Sequence, residues 1–211
     1  MKLAIADVLD RDNMSAAIDQ VVTSVGDLHL TVLINNIGGI NGFVKPQFKP
    51  FENHTTQEIV ATIDLNNSFS MQLTNTLFPV LKKNEPSLVI NIGSMVANLK
   101  MPYLAVYSAA NAANLAAEMR LENRKIEILC ILVGNTSTPG RHTIRTSFTV
   151  PTARVMTAPA LKRVGCSRDA EAGYFPRALQ QASLALISGW LAAIFIGMEA
   201  TKLRDTDPEA S

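Results

Sequence analysis

Small and polar residues follow three apolar segments of the chain. They are Asn35 and Gly38 after the run 28–34, Ser94 after the run 88–92, and Thr138 after the run 126–133. Ligands bind beyond the carboxyl ends of the strands in an open parallel sheet, so polar groups gathered there predict a binding site. The alternative is that they are turn residues, which strand ends need in any case.

The hydroxyl groups of Ser94 and Tyr107 favour a binding site over simple turn residues. Tyr107 comes thirteen residues after Ser94, across a strand end, a loop and the start of a helix, and it opens the sequence YSAAN. A tyrosine hydroxyl can move a proton in catalysis. With an unperturbed pKa of about 10, however, tyrosine is a slow acid–base group at neutral pH unless its surroundings help it to ionise.

Extended and helical patterns alternate through the first 133 residues. Short β-rich runs predict strands near 3–8, 28–34, 88–92 and 126–133. The predicted helices are one capped by Asp10 or Asp12 and stopped by Gly26, one from the capping box 55–58 to about residue 81, and an Ala-rich one over 106–121. This alternation predicts an α/β fold with a doubly wound parallel sheet.

The composition excludes several classes of protein. Of the 211 residues, 47% are hydrophobic and 18% are charged, which suits a folded chain rather than a disordered one. The net charge of +1 does not favour a nucleic-acid partner. Two cysteines cannot build a disulfide scaffold or a four-cysteine zinc site, and no metal site is expected.

Charge is distributed unevenly beyond residue 127. No acidic residue lies between Glu127 and Asp169, whereas six lysines and arginines do, a surplus that suits a phosphate-bearing ligand or is simply a solvated loop. The segment 178–198 carries no charge over 21 residues, about the length that crosses a bilayer. It predicts a hydrophobic helix at a membrane, at a dimer interface or in an ordinary core.

Several motifs together resemble those of short-chain dehydrogenases/reductases. They are LINNIGG at 33–39, NIGS at 91–94, the thirteen-residue gap from Ser94 to Tyr107, and YSAAN at 107–111. The segment 139–168 and the uncharged helix after it are similar to those of very-long-chain 3-oxoacyl-CoA reductases and related 17β-hydroxysteroid dehydrogenases. The resemblance implies a Rossmann-like fold and an NADP(H)-dependent reductase of a lipid-like ketone.

The resemblance also implies roles for particular residues. In the family the tyrosine, here Tyr107, donates a proton to a carbonyl oxygen that the serine, here Ser94, holds by a hydrogen bond. Asn66 matches an asparagine that supports a relay water. The positions implied for cofactor binding are Asp7, Asn35, Gly38, Tyr107, Asn111 and Thr138.

The chain departs from the family pattern in two places. The family has a lysine four residues after the tyrosine, whereas this chain has Asn111, which carries no charge to promote ionisation of the tyrosine. The glycine-rich turn of the family, which presents a helix N-terminus to the pyrophosphate, has no match before residue 26. We therefore expect a sheet lacking its first two strands, an exposed edge on the strand 28–34, and weak or absent NADP binding.

These features leave three hypotheses open. The chain is a ketone reductase that has lost its N-terminal unit, a non-catalytic relative that binds a lipid or a partner protein through 178–198, or a fragment without a function of its own. We divide it into an incomplete core, 1–140, and a basic substrate or membrane segment, 141–211. The resemblance implies an association with the endoplasmic reticulum membrane, with the cytoplasm as the alternative, and a possible homodimer.

Overall fold

The computed structural model describes residues 3, 5, 7–39, 44–98, 101–110, 125–138, 145–165, 174–186 and 189–205. Within these ranges the structure has three strands, β1 (Val32–Asn35), β2 (Ser87–Ser94) and β3 (Ile126–Val133). The same ranges contain seven α-helices, α1 (Arg11–Val25), α2 (Thr56–Ile63), α3 (Phe69–Lys83), α4 (Ala105–Ala110), α5 (Ala153–Leu161), α6 (Phe175–Leu186) and α7 (Gly189–Asp205). A π-helical turn, Asp64–Ser68, joins α2 to α3.

The three strands form one parallel sheet in the order β1-β2-β3. Asn35 pairs with Asn91, and Ser94 pairs with Val133. All three strands therefore end at the same edge of the sheet. The polar segments that follow them leave from that edge, as the sequence predicts for a Rossmann-like α/β fold.

Helices cover both faces of the sheet. On one face, Met14 and Ile18 of α1 and Leu77 and Leu81 of α3 pack against Val89 of β2. On the other face, Met156 and Ala160 of α5 pack against the sheet residues Ile90, Leu129 and Ile131. Both faces of β2 and β3 are buried by helices, which is why β3 is a continuous apolar run in the sequence.

Local signals set several helix ends as predicted. Asp10 accepts a hydrogen bond from the backbone of Asn13 at the start of α1, and Gly26, with φ of +49°, follows its last residue. At the start of α2, Thr55 and Glu58 form a reciprocal capping box. The long helix predicted from this box is confirmed, with the π-helical turn as an interruption that the sequence pattern did not reveal.

Two strand predictions need correction. The run 3–8 was expected to be a strand, but the described residues there have no strand partner, and Val8 and Leu9 lie in a turn. The strand predicted at 28–34 is found at Val32–Asn35, because Leu28 and Leu30 are held in turns by backbone hydrogen bonds to Val25 and Leu28. In the described part of the chain β1 is an edge strand, with Val32 and Ile34 47% and 55% exposed.

The uncharged segment 178–198 falls on α6, which is described as far as Leu186, and on α7, which is described from Gly189. The two residues between them lie outside the described part. Among the described residues, no helix has the length and apolarity required to span a bilayer. The predicted C-terminal hydrophobic helix is therefore not confirmed.

Candidate active site

The carboxyl end of β1 is held by a buried polar cluster. The Asn35 side chain is buried, and its Nδ2 donates to Asn91 Oδ1 at 2.7 Å and to Thr74 Oγ1 at 2.9 Å. These bonds join β1, β2 and α3 at the point where the strands end. The Asn35 amide nitrogen therefore holds the sheet together. Its assignment as a cofactor contact stays a prediction.

Asn66 holds the glycine segment that follows β1. Its Oδ1 accepts from the backbone N–H of Gly39, and its Nδ2 donates to the carbonyl oxygen of Gly39, both at 2.8 Å. A Cβ atom on Gly38 would lie 2.8 Å from Asn66 Oδ1, so the close approach requires a glycine there. Asn66 sits in the π-helical turn, a feature that recurs at functional sites.

Ser94 closes β2 with its hydroxyl group buried in the protein. Its Oγ accepts a hydrogen bond from the backbone N–H of Val96 at 3.3 Å and so caps the 3₁₀-helix Met95–Ala97. A serine hydroxyl that accepts such a bond still has its own hydrogen to donate. Donation to a carbonyl oxygen is the role that the sequence resemblance implies for Ser94.

Tyr107 lies in the first turns of α4 and lines a small cavity. The cavity is bounded by the loop before α2, by α2 itself and by the start of α4, and its lining residues are Val44, Gln47, His54, Thr62, Tyr103, Leu104, Val106 and Tyr107. Thr62 connects this cavity to Asn66, because the Thr62 carbonyl oxygen accepts from Asn66 Nδ2 at 2.8 Å. Tyr107 and Asn66 thus belong to one neighbourhood of the fold.

Two ion pairs fix the helices around this neighbourhood. Lys49 Nζ donates to Glu58 Oε1 at 2.6 Å, and both side chains are largely buried. Burial works to raise the pKa of Glu58, but hydrogen bonds from Lys49 and Thr55 and the charge of Lys49 hold it at about 2. Arg11 bonds both carboxylate oxygens of Asp64, and this hydrogen bonding lowers the pKa of Asp64.

No contact given by the described residues joins the remaining predicted site residues to Ser94, Asn66 or Tyr107. Asp7 is exposed and accepts from the backbone of Leu9 at 3.0 Å. Thr138 follows Ser137, which forms an isolated bridge with Thr152. Asn111 lies outside the described residues. The assignment of these residues to a site therefore stays a prediction, as does the facing of Ser94 and Tyr107.

The residues at the sheet edge fit only part of a nicotinamide dinucleotide. Ser94 and Tyr107 suit the end at which a carbonyl substrate would react. The N-termini of α1 and α2 do not suit a pyrophosphate, since the carboxylates of Asp10 and Glu58 already accept from the backbone there and would repel it.

Sequence reasoning missed His54 and the Lys49–Glu58 pair. His54 comes directly before the capping box, in a loop whose path only the tertiary structure defines. Its buried Nδ1 has no hydrogen-bond partner among the described residues. Burial lowers the pKa of His54, and the charge of Lys49 lowers it further, whereas Glu58 acts to raise it.

The curated relatives of this chain include very-long-chain 3-oxoacyl-CoA reductases. A very-long-chain 3-oxoacyl-CoA reductase of Lodderomyces elongisporus is 28% identical over 162 residues, 70% of this chain and 44% of its own length. The protein of the same name from Eremothecium gossypii is 30% identical over 161 residues, 71% of this chain and 44% of its own length. The chain thus spans less than half the length of these relatives.

Comparison with solved structures agrees on the fold. A short-chain dehydrogenase from Burkholderia cenocepacia in complex with NADP has a TM-score of 0.66 and 21% identity, over 89% of this chain and 75% of its own. A 7β-hydroxysteroid dehydrogenase has a TM-score of 0.73 and 15% identity, over 92% of this chain and 75% of its own.

A family model supplies the decisive match. It is described as short chain dehydrogenase, and it matches residues 1–148, more than half of the 211. The matched range contains the strand ends, Asn66, Ser94 and Tyr107. The chain therefore belongs to the short-chain dehydrogenase/reductase family.

Proposed function

We propose that the chain is the carbonyl-reducing part of an NADP(H)-dependent reductase whose substrate is a lipid-like ketone such as a 3-oxoacyl thioester. The observation that carries the proposal is the family match over 1–148, which includes Ser94 and Tyr107 at the thirteen-residue spacing. The 3-oxoacyl thioester is suggested by the names of the relatives.

The proposed mechanism assigns one task to each residue. Ser94 donates its hydroxyl hydrogen to the substrate carbonyl oxygen and orients the ketone. Tyr107 donates a proton to the same oxygen as the carbonyl is reduced. Asn66 holds the 38–39 segment through two hydrogen bonds to Gly39, and so keeps the floor of the site in place. When bound, NADPH supplies the hydride that reaches the carbonyl carbon.

We expect the affinity of the chain for NADPH to be low. The acidic caps of α1 and α2 do not favour a pyrophosphate at either helix N-terminus, and Asn111 stands where the family has a lysine. We therefore expect the 211 residues by themselves to bind NADPH weakly, with a dissociation constant well above the low micromolar range.

The test combines binding and turnover. NADPH titration followed by fluorescence gives affinity, and NADPH consumption with acetoacetyl-CoA gives turnover. Tyr107→Phe should remove any ketone reduction, whereas the matched variant Tyr174→Phe should leave it unchanged. Turnover that persists at full rate in Tyr107→Phe would contradict the proposal.

A second candidate function rests on a different surface. Four apolar side chains of α7 that recur at helical spacing are 44–68% exposed; they are Leu191, Ile194, Phe195 and Met198. Such a stripe suits a module that binds a lipid surface or a partner protein.

Vesicle binding tests this second candidate. The chain should co-sediment with phosphatidylcholine vesicles. The double variant Phe195→Ser/Met198→Ser should reduce the bound fraction at least about threefold, because each substitution removes apolar area that would be buried against the lipid. Val155→Ser, which changes an exposed apolar residue of α5, serves as the control. Equal binding by both variants would exclude α7 as the lipid-binding surface.

A further inference from the structure

We propose that His54 relays protons to Tyr107 through a water molecule in the cavity that the two side chains share. The inference rests on the proposed function, because it concerns how Tyr107 recovers the proton that it gives to the substrate. It assigns a task to a histidine that none of the sequence motifs includes.

The cavity has the right size and lining for one bridging water. It offers about 10 Å³ to a water-sized sphere, close to the roughly 10–15 Å³ that one water molecule needs. Gln47, His54, Thr62, Tyr103 and Tyr107 are among its lining residues. A buried water needs two to four polar partners, and the proposal assigns it two, the imidazole of His54 and the hydroxyl of Tyr107.

His54, one of the lining residues, carries a ring nitrogen without a hydrogen-bond partner among the described residues. This nitrogen, Nδ1, is buried. A buried nitrogen without a partner costs roughly 1–3 kcal/mol. A water molecule in the adjoining cavity would satisfy it and would reach the other polar groups of the lining.

The groups that face His54 keep its ring neutral near pH 7. From its own loop it faces Lys49, from α2 it faces Glu58, and across the cavity it faces Tyr103 and Tyr107. Burial and the charge of Lys49 lower the pKa of His54, and Glu58 offsets only part of this. A neutral imidazole has one nitrogen that donates and one that accepts, which is what a relay requires.

The proton balance of the relay is simple. Tyr107 would lose its hydroxyl proton to the carbonyl oxygen, and bound NADPH would supply the hydride for the carbonyl carbon, leaving NADP⁺. The tyrosinate then takes a proton from the water, the water takes one from an imidazole nitrogen, and the other imidazole nitrogen takes one from solvent. The family places a lysine at the position of Asn111, and His54 would supply the titrating group that Asn111 lacks.

An NMR titration of the whole chain tests the shared water without requiring turnover. The imidazole signal of His54 is identified with His54→Gln, and exposed His29 serves as an internal reference. Tyr107→Phe should raise the pKa of His54 by about 0.3 unit or more, because the neutral ring loses a hydroxyl that reaches it through water.

Tyr103→Phe and Tyr174→Phe are the matched controls. Tyr103 lines the same cavity, but its hydroxyl accepts a hydrogen bond from Arg204 at 3.2 Å. Neither control should move the His54 titration by more than about 0.1 unit. An unchanged or lowered pKa of His54 in Tyr107→Phe, or an equal shift in Tyr103→Phe, would overturn the relay.

Kinetics separate the relay from the proposed function. With acetoacetyl-CoA and NADPH, His54→Gln should lower kcat about tenfold or more with KM unchanged, and adding Asn111→Lys should restore kcat. If His54→Gln has normal turnover and an unchanged pH profile, the proton relay is wrong and the proposed reductase function is retained. If the unmodified chain shows no turnover but the NMR shift is present, the proposed reductase function is wrong and the connection between His54 and Tyr107 is retained.

Discussion

At the scale of single residues, asparagines do much of the positioning in this protein. Asn35 joins two strands and a helix, and Asn66 joins the π-helical turn to the segment after β1. An amide side chain suits both tasks because it donates and accepts at once. The consequences can be tested through stability as well as through activity.

The contact between Asn66 and the glycine segment predicts a coupled pair. Asn66→Ala should destabilise the fold by about 1–3 kcal/mol, since it leaves the backbone groups of Gly39 without partners. Gly38→Ala should cost a similar amount by displacing Asn66, whose Oδ1 would lie 2.8 Å from the new Cβ. Urea unfolding of the double variant should therefore show less than the sum of the two losses. Full additivity would contradict the contact.

The Glu58 carboxylate predicts a specific loss of stability in acid. Its pKa is about 2 in the folded chain against an ordinary 4.5, so its contribution is complete above about pH 4.5 and disappears as the pH falls toward 2. Glu58→Gln should lower the free energy of unfolding at pH 7 by about 1–3 kcal/mol, and this loss should shrink steadily as the pH falls from about 4.5 to about 2. Exposed Glu52→Gln should show no such pH dependence in urea unfolding.

Asn111 predicts the outcome of restoring a charge. The test uses a fusion of the chain to a glycine-rich N-terminal unit from a relative, so that every variant carries a turn that binds pyrophosphate. In this fusion, Asn111→Lys should raise ketone reduction at least about tenfold, within the roughly 10²–10⁴ attributed to a positioned acid–base group. Tyr107→Phe should abolish the gain. Full family rates with Asn111 in place would show that asparagine works there.

At the scale of elements, the edge of the sheet is the least protected part of the described fold. The side chains of β1 alternate between exposed and buried, so Val32 and Ile34 present apolar surface next to backbone groups that have no strand on their outer side in the described region. An open apolar edge favours pairing with another chain. β1 is therefore where we expect self-association to begin.

A charge on β1 should suppress that association. Ile34→Lys should reduce concentration-dependent light scattering while changing the free energy of unfolding by less than about 0.5 kcal/mol, because Ile34 is exposed. Leu33→Lys, one residue earlier on the buried face, should instead unfold the chain. If Ile34→Lys associates as strongly as the unmodified chain, the association uses another surface.

At the scale of the whole molecule, the last helix is tied back to the loop before α4. Arg204 of α7 donates to the hydroxyl of Tyr103 at 3.2 Å, and its guanidinium lies 5.0 Å from the centre of the same ring. Ala200 of α7 is fully buried. This contact brings residues about one hundred positions apart to the neighbourhood of Tyr107.

Removing the contact should loosen α7 without unfolding the sheet. Arg204→Ala should speed hydrogen exchange of α7 amides by about three- to thirtyfold, equivalent to the roughly 0.5–2 kcal/mol of a cation–π contact. Tyr103→Phe keeps the ring and should have a smaller effect. Exchange in β2 and β3 should not change, and faster exchange there would mean that α7 supports the whole core.

The sequence by itself determined the family, the parallel α/β fold, both ends of α1 and the start of α2, because these depend on local signals. Periodicity predicted β3 and the α1 helix, and the capping box at Thr55 and Glu58 predicted the start of α2. Local signals were insufficient for the run 3–8, whose described residues have no strand partner despite the β-rich composition. They also placed β1 too early, because the turns around Leu28 compete with extension there.

The tertiary structure decided which polar groups meet. The bonds from Asn66 to Gly39, from Arg11 to Asp64 and from Asn35 to Asn91 span 27 to 56 residues of the chain, so no local pattern relates these partners. His54 lies near Tyr107 only because the loop before α2 packs against the start of α4. Burial and contact belong to the folded chain as a whole, and that is why the motif residues were visible in the sequence while the cavity beside Tyr107 was not.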